Sequence, residues 1–206
     1  MSTARSPRGP YRNGIARRKQ ILAKAGEVFA TYGYLAGSLR QIALEVGVSP
    51  AALTRHFDSK EDLLIEVLKL WGEETGSATA GLGSGIGYFE GQSSLMRYHL
   101  AHRGYLELFL RLSAEASNPA HPAATFIRER NRRTLELFIS NLNEAIAAGD
   151  IAAMSNDEVE QECRLLISVM DGLELQWLLD PNVELVALFE RHQEQMLARW
   201  RADISK

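Results

Sequence analysis

The chain has 206 residues, of which 46% are hydrophobic and 24% charged, with six prolines, one cysteine and a net charge of −3. That balance excludes wholesale disorder and leaves room for one large domain or two small ones. The longest largely apolar run, Leu165 to Met170, is far short of a membrane span, the first residues lack a secretory apolar core, and the lone Cys163 rules out an internal disulfide framework or a multi-cysteine zinc site.

Those features predict a cytoplasmic protein with no membrane partner. A net charge near zero would by itself argue against nucleic acid, but the charge is divided. Residues 1–60 carry ten Lys and Arg against three acids, a balance of +7, and the remainder carries −10. A basic first third joined to an acidic body points to two modules with different partners.

In chain order, residues 1–14 read as a flexible basic arm, with Arg5, Arg8 and Arg12 among small and turn-forming residues. From there Ile21, Leu22, Ala25, Val28, Phe29 and Tyr32 recur at helical steps, which predicts a helix over 15–32 ended by Gly33. Serine start signals at Ser38, Ser59 and Ser155, each followed by an acid or amide three residues on, open further helices. The spacing predicts helices over 39–46, 50–56, 60–74, 88–102, 104–117, 123–149, 156–179 and 183–202, about nine in all, and no strand-type alternation. Seven glycines crowd residues 72–91, with neither the preceding strand nor the Gly-Lys-Ser/Thr ending of a phosphate loop, so a flexible connector is expected there. The fold class is therefore all-α, with a basic helical domain over 15–60 and a second domain over 61–206.

The segment from Ser38 to Lys60 carries the chemistry. Leu39, Ile42, Ala43 and Val46 make one apolar face, Gly47 permits a sharp turn, and Val48 re-enters the core. Ser49 caps a second helix that Pro50 begins, with Leu53 and Phe57 as its buried side. Two short helices joined by a glycine turn form the motif that puts its second helix in the DNA major groove. The residues set to meet DNA are Arg40, Ser49, Pro50, Ala51, Ala52, Thr54, Arg55, His56 and Lys60, with Ser49 and Lys60 placed for phosphate and Arg55 for phosphate or guanine.

These residues carry a resemblance. Ile21 to Ala25 with Phe29 and Gly33-Tyr34, then Ile42 to Pro50, then Leu53 to Leu64, resemble the N-terminal domain of TetR-family transcriptional regulators over about a quarter of the chain. One position departs from the family pattern: Thr54 stands where relatives usually have a tyrosine that contacts phosphate. The resemblance implies a homodimeric regulator, more often a repressor than an activator, that binds a palindromic double-stranded DNA operator. It further implies a small-molecule effector among the central helices that releases the DNA.

The helix over 156–179 has apolar residues on more than one stripe, so one core does not hide them all and a second copy of the chain is expected to cover the rest. The interface candidates are Leu166, Met170, Leu173, Trp177, Leu185, Phe189 and Met196. The effector candidates are Tyr98, His99, His102, Tyr105, Phe109, Phe126, Arg130, Met170 and Trp177, an aromatic set with few polar anchors. His99 and His102 share a helix face, but no further ligand completes a metal set. Cys163 reads as core. No cofactor is expected, and no nucleophile–base pair suggests an enzyme. An enzyme acting on a hydrophobic molecule and a helical adaptor for an acidic protein are the competing classes.

Overall fold

The computed structural model describes residues 10–34, 38–79 and 81–202. Every regular element in them is helical: α1 (Pro10–Tyr32), α2 (Leu39–Val46), α3 (Pro50–Thr54), α4 (Lys60–Thr79), α5 (Ile86–Glu90), α6 (Ser93–Ala101), α7 (Arg103–Glu115), α8 (Ala124–Ala148), α9 (Asn156–Leu179) and α10 (Leu185–Ala202). The chain divides into two compact units, Met1–Leu70 and Trp71–Lys206. That division lies ten residues beyond the expected one at 60/61, because the start of α4 is tied to α1 by an Arg18–Glu66 ion pair of 2.7 Å.

In the first unit the apolar face of α1 buries Ile21, Leu22, Ala25, Val28 and Phe29. Ile42 and Ala43 of α2, Leu53 of α3, Phe57, and Leu63 and Leu64 of α4 are all essentially inaccessible as well. A methyl side chain at Ala43 lets backbones approach at the centre of this small core. Gly47 ends α2 at φ 72° and ψ 37°. The Val48 N–H donates to Ala43 O at 2.9 Å and the Gly47 N–H to Leu44 O at 3.1 Å, the paired bonds of a Schellman ending. No atom lies within 4 Å of where a Gly47 side chain would begin, so the constraint is purely of the backbone. Gly47→Ala should therefore destabilise the protein by about 1–2 kcal/mol, read as a shift of the urea midpoint, with Gly47→Asn losing less because asparagine tolerates the left-handed region.

The second unit is held by α8, α9 and α10 around an aromatic centre. Phe89 of α5 meets Trp200 edge-on at 5.1 Å and Phe138 at 6.0 Å. Gln193 donates its amide to the Phe89 and Glu90 carbonyls, satisfying the end of α5. Trp200 donates to Glu162 at 2.9 Å, and Arg199 grips the same carboxylate with two 2.7 Å bonds, joining α10 to α9. The box at Ser155 opens α9 as expected: the Ser155 side chain accepts from Glu158 N, and Glu158 accepts from the Ser155 N–H.

Three expectations need correction. The 88–102 helix is two helices, α5 and α6, broken at Gly91–Gln92, which makes ten helical elements among the described residues. The glycine-rich stretch is mostly helix: Gly72 and Gly76 lie inside α4 with open space beside them, and Gly87 lies inside α5. The long apolar face of α4 outweighs the modest cost of two exposed helical glycines. Among the described residues of the stretch, the link at 81–85 and Gly91 depart from helix, and Gly85, at φ 58°, donates its N–H to buried Asn141 at 3.1 Å. The arm also shortens, since α1 begins at Pro10, a residue suited to the first helical position. Residues 1–9 lie outside the described residues.

Candidate DNA-reading helix and effector cluster

Two serines set the reading helices. Ser38 accepts from Gln41 N at 3.3 Å to start α2, and Ser49 accepts from Ala52 N at 3.1 Å to start α3. The Ser49 hydroxyl thus spends its oxygen on the cap and keeps its proton for a phosphate oxygen. Arg40, Ser49, Pro50, Ala51, Thr54, Arg55 and His56 are exposed, and Ala52 and Lys60 are half-buried. Arg55 donates Nε to Ala51 O at 3.3 Å, which fixes the stem and leaves both terminal nitrogens pointing to other partners. Thr54 turns its hydroxyl back to Pro50 O at 3.2 Å, so its proton is already used within the helix. Of the candidates with a side-chain donor it is the least able to donate to DNA.

The basic charge of this unit divides into structural and available cations. Arg18 is bound to Glu66 and lies 5.0 Å from the Phe57 ring centre, and Lys24 is paired with Glu27 at 2.5 Å. Arg40 and Arg55 have no acidic partner among the described residues. Lys60 holds its ammonium 4.3 Å over the Tyr34 ring, while the Tyr34 hydroxyl donates to Glu61 at 2.5 Å. Burial first, and then Glu61, raise the Tyr34 pKa above its ordinary value, so the phenol stays a donor. In the sequence Tyr34 stands out only through the Gly33-Tyr34 pair of the motif; its place beneath Lys60 is set by the tertiary fold.

In the second unit a cluster forms around Trp71, a residue absent from the expected set. Its ring stacks on Tyr105 at 6.0 Å, meets Phe109 edge-on at 5.3 Å and lies 5.7 Å from the His99 ring. His99 Nδ1 is 2.5 Å from Glu174, and both side chains are buried. The Arg130 guanidinium sits 4.0 Å over Phe109. Burial lowers the Arg130 pKa and the nearby Asp171 and Glu174 oppose that. Asp171, although part of its side chain reaches the surface, is pushed up to about 6 by desolvation and then by Glu174, with Arg130 and His99 acting against the rise.

The structure therefore brings His99, Tyr105, Phe109 and Arg130 together and adds Trp71 and Glu174. Tyr98 and His102 stack on one another at 4.1 Å, with Tyr98 also 6.0 Å from His99. Among the described residues no ring or ion-pair contact links Phe126, Met170 or Trp177 to the cluster; Trp177 instead carries Arg103 at 4.8 Å. His102 Nδ1 is engaged with Tyr98 O at 2.7 Å, so the two histidines do not converge, and no group of three metal-binding side chains occurs among the described residues. Glu174 is hard to find from sequence, because an acid in an apolar helix reads as a surface residue until its histidine partner is known. Cys163 is fully buried and its thiol is pushed up to about 12, first by burial and then by Glu162 and Glu160, the state of an inert core residue.

The interface candidates also need correction. Leu166, Met170, Trp177, Leu185, Phe189 and Met196 are buried within the protomer and Leu173 is half-buried. The exposed apolar residues of α9 and α10 are others: Leu165 at 59%, Leu175 at 50%, Leu179 at 78% and Leu188 at 43%. With Ser168 and Gly172 between them, the three α9 leucines form a second stripe at alternating three- and four-residue steps. No helix among the described residues is long and apolar enough to cross a membrane.

Residues 21–67 match the family model of bacterial regulatory proteins of the tetR family. The HTH-type transcriptional regulator BetI of Rhizobium meliloti is 28% identical over 162 residues, covering 76% of this chain and 75% of that protein. The HTH-type transcriptional repressor KstR2 of Rhodococcus jostii is 27% identical over 171 residues, covering 73% and 74%. Among solved structures, a transcriptional regulator of Saccharomonospora viridis in complex with choline superposes with a TM-score of 0.72 at 20% identity, over 89% of this chain and 96% of that one. Bacillus subtilis FadR in complex with stearoyl-CoA gives 0.70 at 21%, over 87% and 97%. The fold and the capped, glycine-turned helix pair define a helix-turn-helix DNA-binding regulator of transcription, not an enzyme. Residues 21–67 thus carry the DNA-binding domain of the TetR family of bacterial transcriptional regulators.

Proposed function

We propose that this regulator is a cytoplasmic repressor that binds a palindromic operator as a homodimer and leaves it when a small molecule enters the unit formed by residues 71–206. The observation that carries the reading is the doubled apolar character of α9. One stripe, Val159, Cys163, Leu166, Met170 and Trp177, fills the protomer's own core; the other, Leu165, Leu175 and Leu179, has no cover in a single chain. A second copy placed by a two-fold axis covers the same patch on both chains, and two reading helices then meet half-sites one DNA turn apart, roughly 34–36 Å.

Residues 15–60 contribute the DNA contacts, led by Arg55 and Lys60 for phosphate or guanine and by Ala51, Ala52 and His56 at base edges. Residues 61–206 contribute the dimer face and the effector site. Repression is favoured by the match to KstR2, whose name describes a repressor. Selection of bound genomic fragments, followed by sedimentation of the protein–DNA complex, tests the whole reading. Enriched inverted repeats bound by two chains are expected. Enrichment of asymmetric single sites bound by one chain would sink it.

A further inference from the structure

We infer that the cluster around Trp71 is built to take a small organic cation, and that Arg130 fills that cation's place while the site is empty of ligand. The inference rests on the reading of residues 71–206 as the effector unit and names the chemistry of its ligand. Three observations converge. First, Trp71, Tyr105 and Phe109 present aromatic faces and edges to one another within about 6 Å, and such faces carry negative potential that attracts cations. Second, one cation is already there: Arg130 lies 4.0 Å over Phe109. The acids whose charge acts on it are Asp171 and Glu174, yet it makes no ion pair with either among the described residues. A guanidinium held by a ring and by two carboxylates at a distance is exchangeable for another cation of similar size. Third, the buried polar atoms are open. Because a carboxylate only accepts, the His99 Nδ1–H donates to Glu174, which leaves Nε2 as the open position of the ring. That Nε2 and the Trp71 Nε1–H are both buried without a hydrogen-bond partner among the described residues.

An anionic ligand fits this arrangement poorly. It would meet two carboxylates, with Arg130 already held over the Phe109 ring. A cation exchanges places with Arg130 and keeps both carboxylates compensated. A hydroxyl on that cation would in addition suit the two unpartnered ring nitrogens.

Calorimetric titration of the full chain with choline, and with hexanoate as an anion of comparable size, tests this. Choline should bind once per protomer and hexanoate should not. Glu174→Gln should weaken choline binding about tenfold, with far-UV circular dichroism and the operator shift used to confirm that the variant is folded. Arg130→Gln decides the sign: removal of the resident cation should strengthen choline binding about tenfold. Hexanoate binding that Arg130→Gln abolishes would overturn the inference, and so would failure of choline to bind a protein that still shifts its operator. That last result leaves the regulator reading intact. Choline binding that leaves operator affinity unchanged supports the cation site and overturns the effector reading instead.

Discussion

An Arg55→Ala, Lys60→Ala double variant is expected to lose most operator affinity while remaining folded. Arg55 is exposed, and its one bond is to a backbone carbonyl within its own helix, so its removal leaves no buried group unsatisfied. If its terminal nitrogens read a guanine, the loss is about 1–3 kcal/mol for each half-site and specificity at that base relaxes. Lys60 acts differently. It is a point charge steadied over Tyr34, so its loss should weaken binding to all sequences alike and lower the salt slope by about one per head. Fluorescence anisotropy with a selected operator, across a series of salt concentrations, separates the two effects. Unaltered affinity in the double variant would show that α3 is not the reading helix.

A Leu175→Glu, Leu179→Glu variant should sediment with the mass of one chain rather than two. Both leucines are at least half exposed in the protomer, so the change removes nothing from its core and its thermal unfolding should be preserved. In a dimer the four new carboxylates would face one another at the centre of an apolar interface, where desolvation and like-charge repulsion act together. Splitting the dimer also removes the advantage of two linked heads, about 10²–10⁴-fold in operator affinity. Sedimentation velocity at micromolar protein and an electrophoretic shift are the measurements. A variant that stays dimeric would move the interface off α9. By contrast, truncating Leu166, fully buried in the protomer, should cost folding stability of about 2–5 kcal/mol whether or not a partner is bound.

How much of this was legible beforehand follows from the range of the interactions. The helix-turn-helix could be read because its signals are local. Ser49 caps a helix that begins one residue later, and the paired bonds of Gly47 and Val48 reach back three to five residues. The glycine-rich stretch misled because composition there was weighed without packing. Gly72 and Gly76 extend a helix whose earlier turns bury Leu63, Leu64, Val67 and Trp71, and that burial is invisible in a count of glycines. On α9 the excess of apolar residues was visible, but which stripe faces inward was not. Leu166, Met170 and Trp177, expected at the interface, are buried in the protomer's own core.

The effector cluster shows the same boundary. Aromatic residues on neighbouring helices could be named, but Trp71 joins them only because packing sets it against Tyr105, Phe109 and His99, and Glu174 only because His99 is its partner across 75 positions of sequence. By itself the amino-acid sequence determined the helical class, the DNA-reading motif and the separation of a +7 head from a −10 body, since periodicity, caps and charge are properties of neighbouring residues. Tertiary structure alone decided which cation of α1 is spent on Glu66, which leucines of α9 are left exposed, and which polar atoms are buried without partners. Each of those depends on what long-range packing brings within a few ångströms, and a linear pattern carries no record of that distance.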